Sequence, residues 1–230
     1  MNDPMASYLD LGRGQQCVRD LFLALRENLF CWPDVFSLLC FQVVEETKCG
    51  NPRCNQLNST TQPPQLNIEL DVPPPGTDLS YLVEQELGPN FNDVEGYHCE
   101  AGEGGCGEIG TAGHRTFVHS IQGRDFLIVI LRRMFQRVLG GYDVNTNKVT
   151  ATGDIRVVDN SGNIGYFDPI AVIDHIGSVS PTGDSDGHYL CDIKTKEGKW
   201  MHTDDNRIPI EIRSRKVTKQ GTVVLYHKRE

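Results

Sequence analysis

Two kinds of residue in this 230-residue sequence could do chemistry: cysteines that fall in pairs, and a late cluster of histidine and aspartate. The pairs are Cys49-Gly-Asn-Pro-Arg-Cys54 and Cys99-Glu-Ala-Gly-Glu-Gly-Gly-Cys106. Each sits in a turn-rich loop that could aim two thiolates at one point, and four sulfurs make a closed tetrahedral zinc site. The four and six intervening residues are looser than the roughly two to four that structural zinc knuckles prefer, so an empty or degenerate site stands beside the zinc reading. Cys17, Cys31, Cys40 and Cys191 lie among apolar neighbours, where a thiol is a small buried hydrophobe.

The late cluster is Gly187-His188-Tyr189, then Lys199-Trp200, then Asp204-Asp205. A hairpin running from His188 through a Glu197-Gly198 turn to Thr203 returns Asp204 to the neighbourhood of His188. A carboxylate there can accept from one imidazole nitrogen and fix the tautomer, leaving the other nitrogen free to act as a base. Taken alone, such a pair is more often a surface ion pair.

The elements that must position these residues follow from periodicity. Gln15 to Phe30 carries Val18, Leu21, Phe22, Leu25 and Leu29 at helical spacing, an amphipathic core helix stopped by Trp32-Pro33. Val35 to Val44 reads as a short apolar strand, Glu45 to Thr61 as a polar stretch, and Gln65 to Val72 as an alternating strand closed by Pro73-Pro74-Pro75-Gly76. Thr77 or Asp78 caps a helix reaching Leu87. The glycine-rich run from Cys99 to Gly113 is too polar for core, while His114 to Ile121 and Phe126 to Arg132 read as strands of a buried sheet. Short β segments then follow at 154–158, 164–176, 188–195, 199–203, 208–212 and 222–228, which an antiparallel meander explains. Helices come early and strands late, and the class is α+β.

With Lys+Arg 22 against Asp+Glu 31 the net charge is -9, which disfavours nucleic acid and anionic membrane surfaces and suits a basic protein partner. No apolar run approaches the roughly 20 residues of a membrane span, and the start, MNDPMASYLD, has no basic region followed by an apolar one. The expected location is the cytosol or nucleus, where thiols stay reduced.

The order of these pieces resembles the catalytic domain of the ubiquitin-specific proteases. Gln15-Gln16-Cys17-Val18-Arg19-Asp20-Leu21-Phe22 resembles the family's Gln-Gln-Asp-Ala-x-Glu-Phe helix, and Leu127 to Met134 its Leu-x-x-x-Leu-Lys-Arg-Phe strand. Ile173-Asp174-His175-Ile176-Gly177 is similar to its Asn-His-x-Gly segment. Gly187-His188-Tyr189 with Lys199-Trp200 and Asp204-Asp205 is similar to its histidine box, and Val224-Leu225-Tyr226 to its closing strand.

The resemblance implies a papain-like cysteine protease fold in a single domain over 1–230, consisting of the fingers and palm with most of the thumb missing. Residues 15–30 would be a residual thumb or palm helix, 35–120 the fingers and 121–230 the palm. It implies His188 as general base, Asp204 as its orienting carboxylate, Asp205 as polar support and Trp200 packed beneath. Cys49, Cys54, Cys99 and Cys106 would hold a structural zinc in the fingers. Gln16, His175, Gly187 and Tyr189 would contact ubiquitin, with 177–186 a mobile loop beside its tail. The family's nucleophilic cysteine lies in an Asn-x-Gly-Asn-Thr-Cys-Tyr segment upstream of the Gln-Gln helix, and the fourteen residues before Gln15 contain no cysteine. Cys17, among apolar neighbours that raise a thiol's pKa, is a poor substitute. The expectation is therefore a deubiquitinase relative without its own nucleophile, inactive alone, binding ubiquitin or acting as a scaffold. An isopeptidase completed by an upstream segment or partner, and a divergent remnant without ubiquitin function, are the alternatives.

Overall fold

The longest uninterrupted apolar run, Phe126–Arg132 (FLIVILR), is buried on both sides, and the molecule is organised around it. The computed structural model describes residues 18–29, 31–54, 56–72, 74–136, 142–150, 153–179, 185–205, 207–213, 217–218 and 221–230. The strands in chain order are β1 (Val43–Cys49), β2 (Leu57–Thr61), β3 (Ile68–Asp71), β4 (Thr77–Asp78), β5 (Asn92–His98), β6 (Ile109–Val118), β7 (Phe126–Arg132), β8 (Met134–Gln136) and β9 (Tyr142–Val144). They continue with β10 (Val149–Thr150), β11 (Ile155–Val158), β12 (Ile164–Val179), β13 (Ser185–Lys194), β14 (Trp200–Thr203), β15 (Ile210–Ile212), β16 (Val217–Thr218) and β17 (Gly221–Lys228). The helices are α1 (Val18–Leu29), α2 (Pro33–Leu39) and α3 (Leu79–Glu86). The class is α+β.

β7 lies inside a sheet of order β15-β14-β13-β12-β17-β7-β3, with β11 added against β12. Alternation along the strands sends side chains to opposite faces. Leu127, Val129, Leu131, Val172 and Val224 join one core with Leu79 and Val83 of α3. Ile128, Ile130 and Val223 join the other, on which Phe22 and Leu25 of α1 and Phe36 and Leu39 of α2 pack. The cap of α3 is as the sequence implies: Asp78 Oδ1 accepts from the Ser80 amide at 2.9 Å. A second sheet of order β2-β1-β6-β5 carries the cysteine pairs near its strand ends.

Four expectations fail, the smallest being burial of the unpaired cysteines: Cys40 is buried, but Cys191 is half-buried and Cys31 exposed. The apolar run expected as a strand at 35–44 begins as α2: Pro33 lacks the amide hydrogen that a first helical turn leaves unused, and Asp34 suits the positive end of the helix. The residues read as polar or flexible contribute most of β1, β2 and the first half of β6, and the segment after Leu87, to which the sequence assigned no element, contributes β5, because strand pairing across four strands holds them without an alternating pattern. The meander holds only from β12 to β15. β17 inserts between β12 and β7, and β3 runs parallel to β7.

Candidate functional site

The turn after β13 sets the register that brings His188 and Asp204 together. Gly198 adopts a φ of 82° there, and its amide bonds the Thr195 carbonyl at 2.9 Å. Lys194 then pairs with Trp200 and Cys191 with Thr203, so Asp204 emerges one step beyond the last registered pair, on the face that carries His188. His188 Nε2 lies 2.6 Å from Asp204 Oδ1, and Arg207 Nη1 lies 2.7 Å from Asp204 Oδ2. The hydrogen bond from His188 holds the Asp204 carboxyl below its ordinary range against partial burial, helped by the charges of Arg207, His188 and His202. Asp205, at a φ of 47°, brings Oδ2 to 3.8 Å from His188 Nδ1. Donation from Nε2 to Asp204 leaves Nδ1 as the outward nitrogen, the one able to take a proton. Among the described residues no cysteine sulfur hydrogen-bonds to either ring nitrogen. Trp200 packs against the core on the same sheet face.

The other residues that the family resemblance singled out separate. Cross-strand pairing sets His175 against Tyr189 and Gly177 against Gly187, one residue out of phase with His188 and therefore on the opposite face. The His175 and Tyr189 rings stand 4.7 Å apart, and burial lowers the His175 pKa. Gln16 lies outside the described residues, as does part of the 177–186 loop.

The four paired cysteines converge. Their sulfurs all lie within 4.8 Å of one another, with Cys54 to Cys99 at 3.6 Å and Cys49 to Cys106 at 3.9 Å. Sulfurs about 2.3 Å from a tetrahedral zinc stand about 3.8 Å apart, so the donor set fits that ion. Backbone bonds shape each knuckle: the Cys49 amide donates to the Gln56 carbonyl at 2.9 Å, and the Gly107 amide to the Cys99 carbonyl at 2.8 Å. Gly105 has no alternative, because a Cβ there would lie 2.5 Å from the Cys99 sulfur. A hydrogen bond donated by the Cys106 amide favours the Cys99 thiolate, but burial and the adjacent sulfurs push its thiol up to about 12. Cys54 is lowered, first by the Gln56 amide. Four thiolates this close require a cation to ionise together.

One further pair lies outside the residues singled out from the sequence. Asp192 on β13 faces His202 on β14, with His202 Nδ1 2.6 Å from Asp192 Oδ1. Counting back from the same turn would have found it.

No family model and no curated protein sequence matches the chain. Solved structures do. Ubp8 in the SAGA Ubp8/Sgf11/Sus1/Sgf73 DUB module bound to ubiquitin aldehyde matches with a TM-score of 0.72 at 15% identity, over 95% of this chain and 50% of that one. The chain has the fold of a ubiquitin-specific-protease domain. The yeast SAGA DUB module with an Sgf73 variant matches with a TM-score of 0.66 at 15% identity, over 100% of this chain and 46% of that one. The chain thus spans about half the length of the solved chains it matches. Among the described residues no helix is long and apolar enough to cross a membrane.

Proposed function

We propose that this chain is the fingers and palm of a ubiquitin-specific-protease domain, that it binds ubiquitin or ubiquitinated protein, and that alone it does not hydrolyse ubiquitin conjugates. Residues 35–120 are read as the fingers and 121–230 as the palm, with β3 of the first span joining the eight-stranded sheet. The observation that carries this reading is the His188–Asp204 bond of 2.6 Å, which leaves Nδ1 as the second ring nitrogen beside Asp205, in a fold shared with a ubiquitin-aldehyde-bound structure. In thiol hydrolysis that nitrogen takes the proton from a cysteine, the thiolate attacks the isopeptide carbonyl, and the imidazolium returns the proton to the departing amine. Asp204 orients the ring and Asp205 supports it, but among the described residues no cysteine sulfur bonds to either ring nitrogen. His175, Tyr189 and Gly187, with Gln16, are read as contacts for ubiquitin, whose basic surface suits a chain of net charge -9. Cys49, Cys54, Cys99 and Cys106 are read as holding a structural zinc that fastens the two knuckles together. The working compartment is the cytoplasm or nucleus, without nucleic acid or membrane as partner.

The deciding experiment pairs a fluorogenic ubiquitin substrate with a titration of labelled ubiquitin. Binding without turnover is the expected result. Turnover abolished by His188→Ala and by a thiol-directed ubiquitin probe would overturn the inactive reading, and absence of binding would favour a divergent remnant. The second reading, an isopeptidase completed by another segment or chain, is favoured by the intact His188–Asp204 geometry together with the half-length match. Turnover appearing only when a segment bearing the missing cysteine is added would establish it.

A further inference from the structure

We infer that His202 is a positioning residue for the His188–Asp204 pair, seated by the buried carboxylate of Asp192 so that an imidazole stands beside Asp204 on the same sheet face. This deepens the proposed reading of His188 and Asp204 and rests on it for its significance, while the test below reads the side chains themselves.

Asp192 is 1% exposed in its side chain and His202 32%, so the carboxylate anchors from within and the ring reaches outward. The two are direct cross-strand partners, which gives the 2.6 Å bond a fixed register. A buried carboxylate is costly unless it is hydrogen-bonded or paired, so this contact holds the ring firmly. His202 and Asp204 are two residues apart on β14 and its extension and therefore share a face. His188 and Asp192 share that face on β13. Along it, acid and imidazole alternate: Asp192, His202, Asp204, His188. Protonated, His202 adds positive charge next to Asp204, and its influence is one of the causes that keep that carboxyl ionised.

Asp174 on β12, opposite Leu190, shares this face, and Asp205 follows Asp204 with its Oδ2 3.8 Å from His188 Nδ1. Lys194 lies along β13 on the same face, Ile210 is the partner of His202 on β15, and Arg207 is bound to Asp204. Lys199 and Glu211 are bound to each other on the opposite face. His202 therefore adds its charge to those of His188 and Arg207, which contact Asp204 directly. The added charge lowers the pH at which Asp204 takes up a proton and stops accepting from Nε2 of His188.

The test is carboxyl-carbon NMR titration of Asp204 in the wild type, His202→Gln and His202→Lys. The expected result is an Asp204 midpoint raised by about half a pH unit in His202→Gln, as loss of one screened neighbouring charge gives, and returned by His202→Lys. An unchanged midpoint in His202→Gln, or a shift in His202→Lys as large as in His202→Gln, would overturn the inference. Should His202→Gln fail to fold, the wild type still decides. A step in the Asp204 signal that tracks titration of the His202 ring, separately from the His188 ring, supports the assignment, and a signal indifferent to that ring overturns it. Neither readout needs ubiquitin, so failure of the proposed function would show as lost binding with this coupling intact.

Discussion

The imidazole of His175 lies over Gly187 so closely that a Cβ at Gly187 would meet its Nε2 at 2.0 Å. Tyr189 braces the same ring from the side, with the two ring planes tilted by 39°. Gly187→Ala is therefore expected to push His175 off Tyr189 and to cost about 1–3 kcal/mol of stability, the usual range for overpacking. Urea unfolding checks it. Adding His175→Ala should restore most of the loss, because the obstacle is then gone. Gly187→Ala with wild-type stability would contradict the packing.

Acid should loosen the corner built on Asp159. Its Oδ1 accepts from the amides of Ser161 and Asn163, both at 2.9 Å, and its Oδ2 from the Asn163 side chain at 3.0 Å and the Ile121 amide at 3.3 Å. Burial pushes the carboxyl up, but these bonds outweigh it and leave the pKa lowered. A lowered folded-state value means the contribution is complete above the ordinary carboxylate range and is lost as pH falls through the lowered value. Asp159→Asn should cost about 1–3 kcal/mol at neutral pH and flatten the stability profile below about pH 4. Denaturant melts at several pH values measure both.

Arg133 should tolerate no replacement well. Burial pushes its guanidinium down to about 10, with the Asp174 carboxylate opposing the shift. Nε donates to the Gly221 carbonyl at 2.6 Å, and Nη1 to the carbonyls of Asn145 and Asn147 at 2.9 and 3.0 Å. Arg133→Leu is expected to cost about 3–5 kcal/mol, because it removes the charge facing buried Asp174 as well as those bonds. Arg133→Lys keeps the charge but not the planar fork, so it should recover less than half of the loss. Thermal or urea midpoints of the two variants give the comparison.

Metal analysis tests the cysteine cluster. Protein purified under reducing conditions should carry about one zinc per chain and lose it when Cys49 and Cys99 are both changed to Ser. Without the metal the knuckles, which have little apolar surface of their own, should become the first segment cut by protease. Zinc below about 0.2 equivalents, or zinc retained in the double variant, would refute the site.

The sequence shows the parts whose signals are local. The Glu197-Gly198 turn between apolar strands is enough to place Asp204 near His188, and Asp78 before Leu79 is enough to start α3. It hides the parts decided by distant contacts. Val35, Phe36, Leu38 and Leu39 suit a strand or a helix equally, and Phe36 and Leu39 become helical where the sheet's second face receives them. Asn92 to His98 is exposed along most of its length and has no alternation, so only its pairing with β6 makes it a strand. The cysteine cluster was legible as two pairs, but their convergence depends on β1 and β6 lying side by side, with Cys49 opposite Ala112.

The position of β17 has a consequence for how the molecule is made. Its residues are joined to β12 on one side and β7 on the other, with Val223 opposite Ile130 and Phe167 opposite Lys228. Among the described residues the two halves of the large sheet thus pair through residues synthesised after all the others in it. On a ribosome, β7 and β12 must wait with their backbone edges unpaired until 221–228 clears the exit tunnel, a long-range closure of the kind that slows folding. A nascent chain stalled before that point should be chaperone-dependent and aggregation-prone, whereas release of the last strand should trigger closure in a single late step.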